Sequence, residues 1–233
     1  MTWDIKAGLM GKPEKDAALH LLSFFPDISL TVEEYLRRRD EAQDKAWPTV
    51  PLLPGIQKLV HHLKKYNIPM AVATGSRKRN YLLKASGAQV QYVFQHFNLE
   101  KNVVTGDPLP EDPDVPGRVA NGQRGIRKGR GKPHPDIFLV AARECLRRDV
   151  GGVSTDVSID LEEEWVVERS KGLIFEDAIP GVIAGKRAGM NVVWVAVPEL
   201  RALEAGADFA ADQILQSLEE FRPEEWGLPP FDP

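Results

Sequence analysis

Apolar and polar positions alternate between two periods along this chain. From residue 51 onward short apolar runs are separated by helical stripes. Ile56, Leu59, Val60 and Leu63 fall at i, i+3, i+4 and i+7, the spacing of one buried helix face. Ile68 to Ala73, Val103 to Thr105, Leu173 to Phe175 and Val192 to Val195 are brief apolar runs without alternation, as expected of strands covered on both faces. Between the last two, Pro180 suits a first helical turn and Gly189 a left-handed stop. That segment predicts a strand–helix–strand unit, with a further helix from Ile137 to Arg147, a last short strand at Ala207 to Asp212 and a closing helix through Leu215, Leu218 and Phe221.

Residues 2 to about 50 lack strand patterning. One helix is expected from Pro13 to Phe25 and a second after Thr31, which has Glu34 three residues on, as in a capping box. Arg37, Arg38 and Arg39 read as a solvated face. Pro48, Pro51 and Pro54 mark a boundary. The fold class is therefore α/β: a helical segment over 1–50 and a parallel-sheet core over 51–233. Two excursions interrupt the core, at about 107–130 and 149–171. The first, rich in proline, glycine and arginine, predicts a mobile surface loop, and the second an exposed acidic insertion.

Composition narrows the function class. With 42% hydrophobic and 27% charged residues the chain is ordinary for a soluble globular protein. A net charge of −4 argues against a nucleic-acid partner, which would need a basic face. The single cysteine, Cys145, permits neither an internal disulfide nor a cysteine-based zinc site. No apolar signal core follows Met1 and no run is long enough to span a bilayer, so a cytoplasmic protein without a membrane partner is expected.

Candidate chemistry sits where predicted strands end, which is where open α/β sheets bind ligands. Glu176 and Asp177 follow one strand. They suit a hard cation such as Mg²⁺ and equally suit the positive end of a helix. Thr74, Gly75 and Ser76 follow another and combine hydroxyls with free N–H groups at a helix start; this is an anion site or an ordinary helix cap. Lys132 is presented from a stiff turn by Pro133 and Pro135, and Met10, Gly11 and Lys12 form a loop that could carry a ligand contact. Adjacent His61 and His62 cannot share a helix face, which argues against a metal pair.

Taken together, VATGS at 72–76, GKPHPDIF at 131–138 and FEDAIPGVIAGKRAGM at 175–190 resemble, in order and spacing, the second, third and fourth motifs of the haloacid dehalogenase-like (HAD) hydrolases. The helical segment resembles part of the small cap of the subgroup containing β-phosphoglucomutase. The closest resemblance is to the pseudouridine-5′-phosphatase branch, and it covers nearly the whole chain outside the two excursions. It implies a Rossmann-like core with a partial helical cap, and Mg²⁺-dependent hydrolysis of small sugar or nucleoside phosphates by a monomer. Thr74 would hold a phosphoryl oxygen, with Gly75 and Ser76 adding contacts. Lys132 would neutralise the phosphoryl group, Glu176 and Asp177 would hold Mg²⁺, and Lys12 would help select the substrate.

One departure is large. The family's first motif, an apolar strand ending in Asp-x-Asp that supplies the nucleophile and the acid–base group, has no counterpart here. Asp112-Pro113-Asp114 has the spelling but follows no strand. In the family that strand lies between those ending at Thr74 and Phe175, so the resemblance implies a sheet with a gap or with the flanking strands paired directly. It also implies a form that is truncated and inactive as written, or alternatively a non-catalytic binder of a phosphorylated ligand.

Overall fold

The computed structural model describes residues 2–9, 12, 14–109, 111–112, 115–119, 124–152, 162–203 and 211–232. Helices fill the first part of the chain: α1 (Trp3–Leu9), α2 (Glu14–Ser23) and α3 (Val32–Ala46), closed by a 3₁₀ turn at Trp47–Thr49. The Thr31 hydroxyl accepts the Glu34 N–H at 3.2 Å, satisfying a donor that the start of α3 would otherwise leave unpaired. Arg37 and Arg38 are solvated as expected and pair with Glu34, whereas Arg39 is only partly exposed and reaches Glu14 of α2.

The remaining elements follow in order: α4 (Ile56–Lys65), β1 (Val72–Ala73), α5 (Lys78–Ala85), α6 (Gln91–Phe94) and β2 (Val103–Val104). Then come β3 (Pro108–Leu109), β4 (Glu111–Asp112), β5 (Val115–Val119), β6 (Ile126–Arg127) and α7 (Asp136–Val140), which runs on into a π-helical turn at Ala141–Cys145. The last are α8 (Glu163–Ser170), β7 (Leu173–Glu176), α9 (Ile179–Arg187), β8 (Asn191–Val195), α10 (Pro198–Leu203) and β9 (Gln213–Leu215), with two closing 3₁₀ turns. Gly55 opens α4 at φ +85°, and a Cβ there would lie 2.5 Å from the Leu218 carbonyl carbon. Only glycine fits both demands.

The parallel sheet is divided. β7, β8 and β9 form one piece, with Leu173 opposite Asn191 and Val193 opposite Gln213. β1 and β2 form another, with Val72 opposite Val103. No backbone ladder joins β1 to β7, so of the two arrangements expected, a gap or direct pairing of the flanking strands, the gap is the one present among the described residues. Side chains bridge it instead. Met70 and Ile68 share an apolar cluster with Leu173 and Phe175, roofed by Leu59 and Leu63 of α4. Ala71 and Ala73 pack with Ile174 on the other layer. On that layer, buried Val182, Val192 and Trp194 meet α7, and Trp3 of α1 packs against the same cluster.

Several elements differ from their sequence expectations. The run Ile68 to Ala73 pairs only over Val72–Ala73, because its one strand partner, β2, is itself only Val103–Val104 and no strand pairs with its other side among the described residues. The excursion at 107–130 holds two strand pairs, β3 with β6 and β4 with β5, and buries Ile126, so it is not simply a loop. The excursion at 149–171 contains α8, anchored by buried Arg169, whose guanidinium donates to the Val150 and Gly152 carbonyls at 2.7 and 3.3 Å. The closing helix is only a 3₁₀ turn at Leu218–Glu220. The last strand lies at 213–215, beyond the expected 207–212, of which 207–210 fall outside the described residues.

Candidate active site

β1 ends at a turn tied down from both sides. The Thr74 N–H donates to the Val104 carbonyl at 3.0 Å, and the Gly106 N–H donates to the Ser76 carbonyl at 2.9 Å. A Cβ on Gly106 would sit 2.2 Å from the Gly75 oxygen, so the two loops touch backbone to backbone. The Thr74 hydroxyl accepts the Ser76 N–H at 3.1 Å, which leaves its own proton to donate elsewhere. Asp107 receives the Lys78 N–H at 2.5 Å and the Thr105 hydroxyl at 2.7 Å, holding the start of α5 beside the turn.

Lys132 and Glu176 form an ion pair. Glu176 ends β7 and folds beneath the first turn of α9. Burial pushes its carboxyl group above the usual range, and the Lys132 charge opposes that shift. Gly181 makes room for it: a Cβ there would lie 2.1 Å from the Glu176 carboxyl carbon. The segment carrying Lys132 is braced by Asp136, which is 1% exposed and meets Arg127 and Arg130 at 3.3 and 3.0 Å. The Lys132 ammonium also lies 4.9 Å from the Phe138 ring centre.

Asp177 is exposed, and its carbonyl accepts the Trp194 indole N–H at 3.2 Å. Lys84 of α5 links the two strand ends. Its ammonium donates to the Ser76 hydroxyl at 3.0 Å, lies 4.9 Å over the Trp47 ring, and is close enough to Asp177 to feel its charge. Sequence reasoning passed over Lys84. A signal existed: it stands three residues after Tyr81, which is 5% exposed, and so falls on the inward side of α5. Lys12 lies beyond α1, is exposed, and is not brought to these residues by any hydrogen bond or ion pair of its ammonium among the described residues. Met10 and Gly11 are outside them. Asp112 lies in β4, and Pro113 and Asp114 are outside the described residues.

Among the described residues, no group of three histidine, cysteine or acidic side chains is placed to hold a metal ion. With Glu176 taken up by Lys132, the oxygen donor left facing solvent is Asp177. That suits a cation which keeps most of its waters and is completed by the ligand's phosphate, the usual habit of Mg²⁺.

A family model described as haloacid dehalogenase-like hydrolase matches residues 8–189. The chain belongs to the haloacid dehalogenase-like hydrolases. Among curated HAD relatives, it is 38% identical over 232 residues to (DL)-glycerol-3-phosphatase 2 of Arabidopsis thaliana, covering 99% of this chain and 79% of that protein. It is 32% identical over 231 residues to a probable pseudouridine-5′-phosphatase of Saccharomyces cerevisiae, covering 98% of this chain and 83% of that one. A crystal structure of a HAD hydrolase from Entamoeba histolytica superposes with a TM-score of 0.60 at 18% identity, over 97% of this chain and 82% of that one. At that identity the likeness speaks for the HAD fold alone. No helix among the described residues is long and apolar enough to cross a membrane.

Proposed function

We propose that this HAD chain binds a small phosphomonoester at the strand ends, through the phosphate-binding and Mg²⁺-binding residues of a phosphatase site that lacks its nucleophile. The observation that carries the reading is the ion pair between partly exposed Lys132 and Glu176, whose carboxylate is buried under α9. A lysine fixed by a carboxylate at a strand end is a preorganised cation, which is what a phosphoryl group needs on its oxygens. Thr74 donates its hydroxyl to a second oxygen, with Gly75 and Ser76 lining the turn. Glu176 holds Lys132 in place, while Asp177, the exposed carboxylate, holds Mg²⁺. When bound, the cation neutralises phosphoryl charge. Lys12, outside this cluster, is assigned to the alcohol portion of the substrate. The relatives named for glycerol 3-phosphate and pseudouridine 5′-phosphate point to a polyol or nucleoside monophosphate as the small metabolite.

One observation favours binding over turnover in this chain as it stands. Glu176 is held by Lys132, and Asp107 by Lys78 and Thr105. No third carboxylate joins Glu176 and Asp177 among the described residues, so no group there is placed to attack phosphorus, and turnover near background is expected. Calorimetry with inorganic phosphate and Mg²⁺ tests the site: binding should weaken at least about tenfold, or 1.4 kcal/mol, in Thr74→Ala and in Lys132→Met. Absence of heat at millimolar phosphate overturns the reading. Hydrolysis of a chromogenic phosphomonoester that Lys132→Ala abolishes would select catalysis over binding.

A further inference from the structure

The charges at the strand ends nearly cancel. Lys132 is paired with Glu176, and Asp177 adds a negative charge at the exposed rim. Such a set does not by itself attract a phosphate dianion. Lys84 changes the balance. Among the described residues it makes no ion pair within 4 Å, unlike Lys132, and its side chain is half-buried. An ammonium has three N–H donors. One is spent on the Ser76 hydroxyl at 3.0 Å, and among the described residues the other two have no protein acceptor. The Trp47 ring covers one side at 4.9 Å, an attraction on the order of 0.5–2 kcal/mol that fixes the ammonium without neutralising it. A half-buried cation with unused donors, hydrogen-bonded to the anion turn itself, is an incomplete site, and an anionic oxygen completes it.

We propose that Lys84 is a ligand-contacting residue that, with the Ser76 hydroxyl, binds a phosphoryl oxygen. The inference rests on the phosphate-site reading above and adds a second cation to it. With a divalent cation on Asp177, the two lysines and two carboxylates cancel and the cation's two positive charges match a phosphate dianion. Without Lys84 half of that match is lost. Because Trp47 ends the N-terminal helical segment, the same contact places that segment's last turn against the bound anion.

Lys84→Met keeps the aliphatic stem and removes the charge, and Lys84→Arg restores a charge. The probe is inorganic phosphate with Mg²⁺, read by calorimetry on the full chain at two salt concentrations, with thermal unfolding measured in parallel. Expected are an unfolding temperature close to that of the unsubstituted protein, phosphate binding weakened at least about tenfold in Lys84→Met, a shallower salt dependence, and partial recovery in Lys84→Arg. If Lys84→Met binds phosphate within twofold of the unsubstituted protein while Thr74→Ala does not, the inference fails and the phosphate site stands. If the unsubstituted protein binds no phosphate, both fail together. If Lys84→Met loses binding only in step with its unfolding temperature, Lys84 is structural and the inference is overturned.

Discussion

Gly181→Ala is the smallest change that tests whether the buried pair is held as described. Alanine stabilises a helix interior by up to about 1 kcal/mol relative to glycine, and Gly181 lies in the first turn of α9. Propensity alone therefore favours the variant. The new methyl, however, would lie 2.1 Å from the Glu176 carboxyl carbon and 2.3 Å from each of its oxygens. Ordinary carbon contact is at about 3.5 Å, so the carboxylate must retreat by roughly 1.4 Å. That retreat stretches and misaligns its bond to Lys132, and a hydrogen bond weakens steeply with distance and angle. Removing one partner of a buried pair costs about 3–5 kcal/mol. Here both charges persist and regain some water, so about 2–3 kcal/mol is the appropriate range, for a net loss of about 1–2 kcal/mol. A double-mutant cycle isolates the cause. In a Glu176→Ala background the obstacle is gone, and Gly181→Ala should be neutral or mildly stabilising, which gives a coupling of about 2–3 kcal/mol, within what contacting residues show. Urea unfolding of the four proteins at constant slope measures it. Equal losses from Gly181→Ala in both backgrounds, or a gain while Glu176 is present, would refute the argument.

Asp136→Asn removes the charge that Arg127 and Arg130 share inside the protein. It should cost about 3–5 kcal/mol in urea unfolding, and a loss below about 0.5 kcal/mol would show that the brace contributes little. Hydrogen bonds from Arg37 and Arg38 hold the Glu34 carboxyl group down at about 2, against an ordinary value of 4.5. Because the folded value is the lower one, the pair's contribution is complete above pH 4.5 and is lost as pH falls through about 2. Carboxyl NMR titration should find that low midpoint, and one near 4.5 would contradict the geometry.

The sequence made the strand ends legible because their signals are local. Apolar runs followed at once by Thr74 or by Glu176 and Asp177 need no distant partner to be read, and neither do the Thr31 cap and the left-handed stop at Gly189, φ +75°. What could not be read depends on pairs distant in sequence. α8 shows no apolar period because Val166 and Val167 are 49% and 51% exposed; it is held by Arg169 on Val150 and by Trp165 packed on Gly151, contacts no window of sequence contains. The short length of β1 depends on what lies beside it. At the site, motif order marked Lys132 and Glu176 as two parts of one centre, and the structure pairs them directly. Lys84 was hidden because a lysine on a helix is ordinarily solvated, and only its position after Tyr81 marks it as turned inward.

The division between β1–β2 and β7–β8–β9 has a consequence for how the protein opens. Without a shared ladder, the amides on each side are protected from hydrogen exchange by their own sheet alone, and the two halves can loosen as separate cooperative units. The turn at Thr74–Ser76 and Lys84 belong to one half, and Glu176 and Asp177 to the other. A phosphate held by both would act as a staple across the seam. Its binding would raise the lower of two opening energies towards the higher, adding RT ln(1 + [L]/Kd), and the two sets of exchange rates would converge as ligand is added.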